Sequence, residues 1–162
     1  MMKIIIAALI VLAAVEAPPA VTQDAPPEIH VLNGQCDASN IDYGPSDRDT
    51  SVPQYASPLR CDEAIFTLYH DYPDHVQIDF ARKGASGVVD GVAFGGRVSE
   101  DRRAMTVDHV DFEPGVPTPV ADSVCLFYQN GGHFDSIMCG AAIESNGMRR
   151  AAMVNFIAAP GQ

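Results

Sequence analysis

The stretch CLFYQNGGHFDSIMC, residues 125–139, sets two cysteines around a centre that reads as a turn. Its flanks are rich in β-branched, aromatic and small apolar residues, and Gly131 and Gly132 tolerate the positive φ of a tight turn. A hairpin symmetric about Gly132 puts Gln129 opposite Asp135, Phe127 opposite Ile137 and Cys125 opposite Cys139. Opposed Cα atoms of a non-hydrogen-bonded antiparallel pair lie about 4.5 Å apart, just within disulfide reach. The segment therefore reads as a hairpin stapled across its strands.

Downstream, Asn146-Gly147 is a strong signal for a type I′ hairpin turn. It sets Glu144 opposite Arg149, Ala141 opposite Ala152, Cys139 opposite Val154 and Ile137 opposite Phe156. The two hairpins share their middle strand and agree on its faces. Phe127, Ile137, Cys139, Ala141, Val154 and Phe156 all point one way. Leu126, Tyr128, Met138 and Met153 fall on the opposite face, which suggests a sheet covered on both sides.

Four cysteines, an even number, favour disulfides in an exported chain. With Cys125 and Cys139 joined, Cys36 and Cys61 pair by elimination around the polar segment GPSDRDTSVPQYASP. Other disulfide pairings remain open at this point. A metal or redox role is disfavoured, because neither the tight knuckle of a zinc site nor a C-x-x-C pair is present.

Export is expected from the N-terminus. MMKIIIAALIVLAAVEA has one lysine, a short apolar run and small residues, the layout of a secretory signal peptide over residues 1–17. Cleavage is expected after Ala17 or Ala20, since Pro18 next to the first of these hinders a peptidase. Residues 18–35 read as a Pro-rich leader with a short strand over residues 29–32. Residues 36–162 form one disulfide-braced β-domain, and its opening part, residues 37–58, reads as loop. Localisation is accordingly periplasmic or secreted. Removing residues 1–17 takes away Lys3 and Glu16 and leaves the net charge at −11. Such a chain repels phosphate backbones and anionic lipids, so no nucleic acid and no membrane is expected as a partner after signal removal.

Residues 63–82 carry a helical stripe (Cys61, Ala64, Ile65, Leu68, Tyr69) but read better as a hairpin. A four-residue turn at Asp71-Tyr72-Pro73-Asp74 sets Tyr69 opposite Val76, Thr67 opposite Ile78, Ile65 opposite Phe80 and Glu63 opposite Arg82. A glycine-rich strand follows over about residues 88–98, where glycine signals a bulge or a close backbone approach. In AMTVDHVDF, Met105 and Val107 have one parity, and Val110 and Phe112 the other. Either both faces are covered or a β-bulge sits at Asp108-His109. The fold class that follows is all-β. It is a small antiparallel β-sandwich or a partly open barrel built from hairpins, with a loop-rich N-terminal segment.

Two clusters have residue types suited to chemistry. His70 and His75 flank the expected turn and are candidate zinc or copper ligands, set against a solvated hairpin tip. Asp108, His109 and Asp111 at the suspected bulge form a candidate polar site, since a carboxylate orients an imidazole as a base. G-x-S-x-G is absent, and the cysteines are expected to be oxidised. The run DASNIDYGPSD departs from the calcium-loop pattern at Ile41 and Tyr43. His133 and Phe134 read as a solvated tip or a recognition knob. The favoured function is a non-enzymatic binding or interaction module for a protein or small-molecule ligand, without a cofactor. The alternative is a small hydrolase or metal-dependent enzyme using the His/Asp clusters. Scattered, exposed histidines favour the first. Three converging groups among the histidines and aspartates favour the second.

Overall fold

The computed structural model describes residues 26–45, 55–82, 91–113 and 115–161, and all of its regular structure is strand. The expected signal peptide and the first part of the leader lie outside these residues. In chain order the strands are β1 (Glu28–Cys36), β2 (Asn40–Pro45), β3 (Tyr55–Pro58), β4 (Glu63–Tyr69) and β5 (Tyr72–Ala81). Then come β6 (Val92–Val98), β7 (Ala104–Asp111), β8 (Pro117–Asn130), β9 (His133–Ser145) and β10 (Met148–Ala158).

Turn chemistry organises the C-terminal half. Asn146 and Gly147 both take positive φ, as a type I′ turn requires, and β9 and β10 pair in the expected register. In β8–β9, Cys125 faces Cys139 and Phe127 faces Ile137 as expected. Nearer the tip the register shifts, so Gln129 faces Phe134 rather than Asp135. The turn is the two-residue Gly131-Gly132, both at positive φ, and Asp135 becomes the extra residue. That bulge moves Phe134 from the solvated tip onto the inner face, where it packs against the core.

Pairings β4–β5, β5–β6, β6–β7, β7–β8, β8–β9 and β9–β10 are all antiparallel. Strand β1 pairs with β4 along Glu28–Asn33 and with β10 through Gly34, Gln35 and Cys36. This dual pairing closes eight strands into a barrel. At eight strands the interior is just wide enough for side chains to fill it. Phe80, Phe94, Phe156, Ile78, Met105 and Ile137 do so, all fully buried.

Three expectations are corrected. β1 is a full barrel strand and occupies much of the expected leader. Its pairing to two neighbours satisfies its backbone donors and acceptors. The expected loop over residues 37–58 contains β2 and β3, which extend the sheet from β10. Pairing to β10 overrides the weak strand propensity of these residues, and the Asn155 amide donates to Ser39 Oγ at 2.8 Å to hold the kink between β1 and β2. The β4–β5 hairpin forms one residue out of the expected register: Ala64 faces Phe80, Phe66 faces Ile78, Leu68 faces Val76 and Glu63 faces Ala81. A tight turn and an irregularity at Leu68/Tyr69 replace the four-residue turn. The register then follows burial, because Phe66 and Leu68 fill the barrel better than Thr67 and Tyr69.

The bulge in β7 forms. Gly95 faces His109 while Gly96 faces Val107, leaving Asp108 as the extra residue. Met105 and Val107 before it, and Val110 and Phe112 after it, are therefore all buried. Of the expected glycine-rich strand, residues 88–90 lie outside the described residues, and the strand itself begins at Val92. The outer face of β8–β10 is uncovered among the described residues. Leu126, Tyr128, Met138 and Met153 are exposed, Met153 to 59 %.

Both expected disulfides are present, Cys36–Cys61 and Cys125–Cys139, and the described cysteines include no free thiol.

Candidate functional sites on the wall and at the mouth of the barrel

On the outer wall, β5, β6 and β7 carry His75, Arg97 and Thr106 in one row and Gln77, Gly95 and His109 in the next. Gly95 has no side chain, and a Cβ built there would lie 2.0 Å from the His109 ring. The imidazole therefore lies over the β6 backbone at Gly95, on the side of β5. It stacks on His75 with ring centroids 5.9 Å apart and planes 11° apart. The bulge turns Asp108 onto the same side. His109 Nδ1 and Asp108 Oδ1 are 2.5 Å apart, and His75 Nδ1 lies 3.8 Å from Asp108 Oδ2. One nitrogen of each imidazole and one carboxylate oxygen lie within 4.8 Å of one another.

This rearranges the candidates. His75 converges with Asp108 and His109, not with His70, which sits exposed in the β4–β5 turn. The off-register turn is the reason, since β5 carries His75 onto the wall opposite Arg97. His133 faces Asn130 at the exposed β8–β9 tip. Asp111 lies one row below His109, facing Ala93, and is buried. Its Oδ1 has no hydrogen-bond partner among the described residues. Asp79 also faces Ala93, from β5. Burial pushes both carboxyls above the ordinary aspartate value of 3.8. For Asp79 the Asp111 charge adds to this and the Gln77 amide opposes it, whereas the His109 charge opposes the rise at Asp111.

A raised carboxyl pKa means the folded chain holds its proton longer than the unfolded one. Stability falls as pH rises from 3.8 through the raised value and stays lower above it. Asp79→Asn keeps an oxygen to accept from Gln77 and removes the charge. The variant is expected to be more stable than the parent at neutral pH and equal to it below pH 3.8. Urea melts at the two pH values check this.

The second site is the barrel mouth formed by the β4–β5, β6–β7 and β8–β9 turns. Phe66 from β4 meets Phe134 from β9 at 5.6 Å between centroids, and Phe127 from β8 meets Phe134 at 6.1 Å and Phe66 at 6.5 Å. These rings border an open groove of about 620 Å³, with Asp74, Glu100, Arg102 and Gln129 on its rim. Two features that make this mouth, the inward turn of Phe134 and the off-register placement of Phe66, were not read from the sequence. An apolar residue next to a turn glycine was the available signal for Phe134. At Phe112, near the bottom end of the wall, Arg150 lies over the ring at 4.4 Å and its Nη1 reaches Glu113 at 3.5 Å. Comparisons of the chain with protein-family models, with curated proteins and with solved structures return no match.

Proposed function

We propose that this chain is an exported, non-enzymatic binding module whose barrel mouth takes a small neutral or cationic molecule with a flat apolar body. The observation that carries this reading is the triangle of Phe66, Phe127 and Phe134 beside an open groove of about 620 Å³. Ligand pockets span about 300–1,000 Å³ and combine an apolar lining with a few polar groups. Asp74 and Glu100 on the rim, with a net charge of −11, favour a cation over an anion. The filled interior leaves the ligand at the lip rather than in the lumen. Export is supported by the N-terminal sequence, and two disulfides are compatible with an oxidising compartment.

The test is titration with the neutral fluorescent probe N-phenyl-1-naphthylamine. Saturable binding at one equivalent is expected, weakened about 10-fold by Phe134→Gln, in line with the loss of one aromatic anchor. Met138→Gln and Met153→Gln on the outer face are expected to leave it unchanged. If instead those outer variants abolish the signal and Phe134→Gln does not, the mouth is not the site. A second reading, a small metal-dependent hydrolase, is favoured by one observation, the convergence of His75, Asp108 and His109. Its measure is ester hydrolysis that rises with added zinc and is lost in His109→Ala.

A further inference from the structure

We propose that the outer wall binds one divalent transition-metal ion of the zinc, copper and nickel class through His75, Asp108 and His109, with zinc as the probe. The site is separate from the mouth and does not depend on any ligand there. The hydrolase reading requires this site, whereas the site does not require that reading.

Three features of the wall build it. First, the donors come from two non-adjacent strands, β5 and β7, and are brought together across Gly95. Any side chain at this position would stand where the His109 ring now lies. Second, Asp108 is the extra residue of the bulge, so its carboxylate joins His109 on one side of the sheet instead of alternating away from it. Third, the donor atoms are already close. In a tetrahedral zinc site with bonds of about 2.0–2.1 Å, neighbouring donors lie about 3.4 Å apart. Here one donor atom from each residue lies within 4.8 Å of the other two.

The donor set selects the class of ion. Two imidazoles and one carboxylate suit zinc, copper or nickel, whereas calcium and magnesium require shells of oxygen. Three protein donors leave a fourth position open. His75 and His109 also line a groove of about 450 Å³, together with Tyr69, Tyr72, Gln77 and Arg97. The Asp108 carboxylate and the His109 ring are hydrogen-bonded at 2.5 Å, which orients the two donors relative to each other.

Tag-free purified protein is titrated with zinc against a chromophoric chelator. One equivalent is expected to bind, and calcium is expected not to compete. His75→Ala and His109→Ala are each expected to weaken zinc by more than about 100-fold, beyond the effect of losing an outer-shell partner. Asp108→Asn is expected to weaken it by at least about 10-fold. His30→Ala and His70→Ala, remote from the cluster, should bind as the parent does. In the unsubstituted protein, one equivalent of zinc should shift the ring resonances of His75 and His109 and leave those of His30, His70 and His133 in place. This second measurement does not depend on any variant folding. No bound zinc, equal losses in His70→Ala, or shifts spread over all five histidines would each overturn the site. Naphthylamine binding at the mouth should be the same with and without zinc, so either proposal fails without the other.

Discussion

Reducing both disulfides is expected to cost the fold about 6 kcal/mol, and this is the largest single effect foreseen for the molecule. The bridges close chain separations of 25 and 14 residues, and each restricts the unfolded chain by about 3 kcal/mol. A domain of this size is held by about 5–15 kcal/mol in all, so the reduced protein should unfold in mild denaturant. The two bridges should not act alike. Cys125–Cys139 spans a hairpin whose register is already set by a run of paired residues. Cys36–Cys61 sits at the seam where β1 leaves β4 and joins β10 through three residues, Gly34, Gln35 and Cys36. The Cys36 amide also donates to the Cys61 carbonyl at 3.0 Å. Replacing Cys36 and Cys61 with serine should therefore speed amide exchange in β1 and the upper part of β10. The corresponding change at Cys125 and Cys139 should lower the urea midpoint without opening that seam. Equal exchange in the two variants would show that the bridge does not hold the closure.

Gly96→Ala is expected to destabilise the chain by more than about 3 kcal/mol, the range reserved for backbone clashes and overpacked cores. A Cβ at this position would lie 2.0 Å from the Thr106 carbonyl oxygen and 2.8 Å from the Val107 Cα. Those are backbone atoms of β7 just before the bulge, and they have no rotamer through which to escape. The pairing between β6 and β7 would have to open, releasing Phe94, Met105 and Val107 from the core. Gly95→Ala provides the contrast. The three atoms nearest its Cβ all belong to the ring of His109, the far end of a side chain that can swing outward. That variant should melt close to the parent and lose zinc. If Gly96→Ala melts like the parent, β6 and β7 are not held as closely as described.

Much of the architecture was legible because it is local. Asn146-Gly147 sets its own turn type, and a turn type sets the register of the two strands it joins. The parity break in AMTVDHVDF narrowed that strand to two readings, covered on both faces or bulged at Asp108-His109, and the structure has the bulge. The register of β4–β5 was not legible. The sequence left two registers one residue apart, and the choice fell to which alternate set, Phe66 and Leu68 or Thr67 and Tyr69, the barrel interior could take. The strand character of β2 and β3 was hidden for the same reason. Residues such as Gly44 and Pro45 form strand because β10 offers a paired edge, not because they favour extended backbone.

By itself the sequence determined the all-β class and the inner face of the last three strands; it favoured the observed sulfur partners and left the strand at His109 either bulged or covered on both faces. Only the tertiary structure decided the closure of β1 onto β10, the inward turn of Phe134 and the meeting of His75 with Asp108 and His109. The reason is additive geometry. A turn positions two neighbouring strands, but the relation between β5 and β7 is the sum of two registers, a bulge and the missing side chain at Gly95, and an error of one residue in any of these would part the two imidazoles.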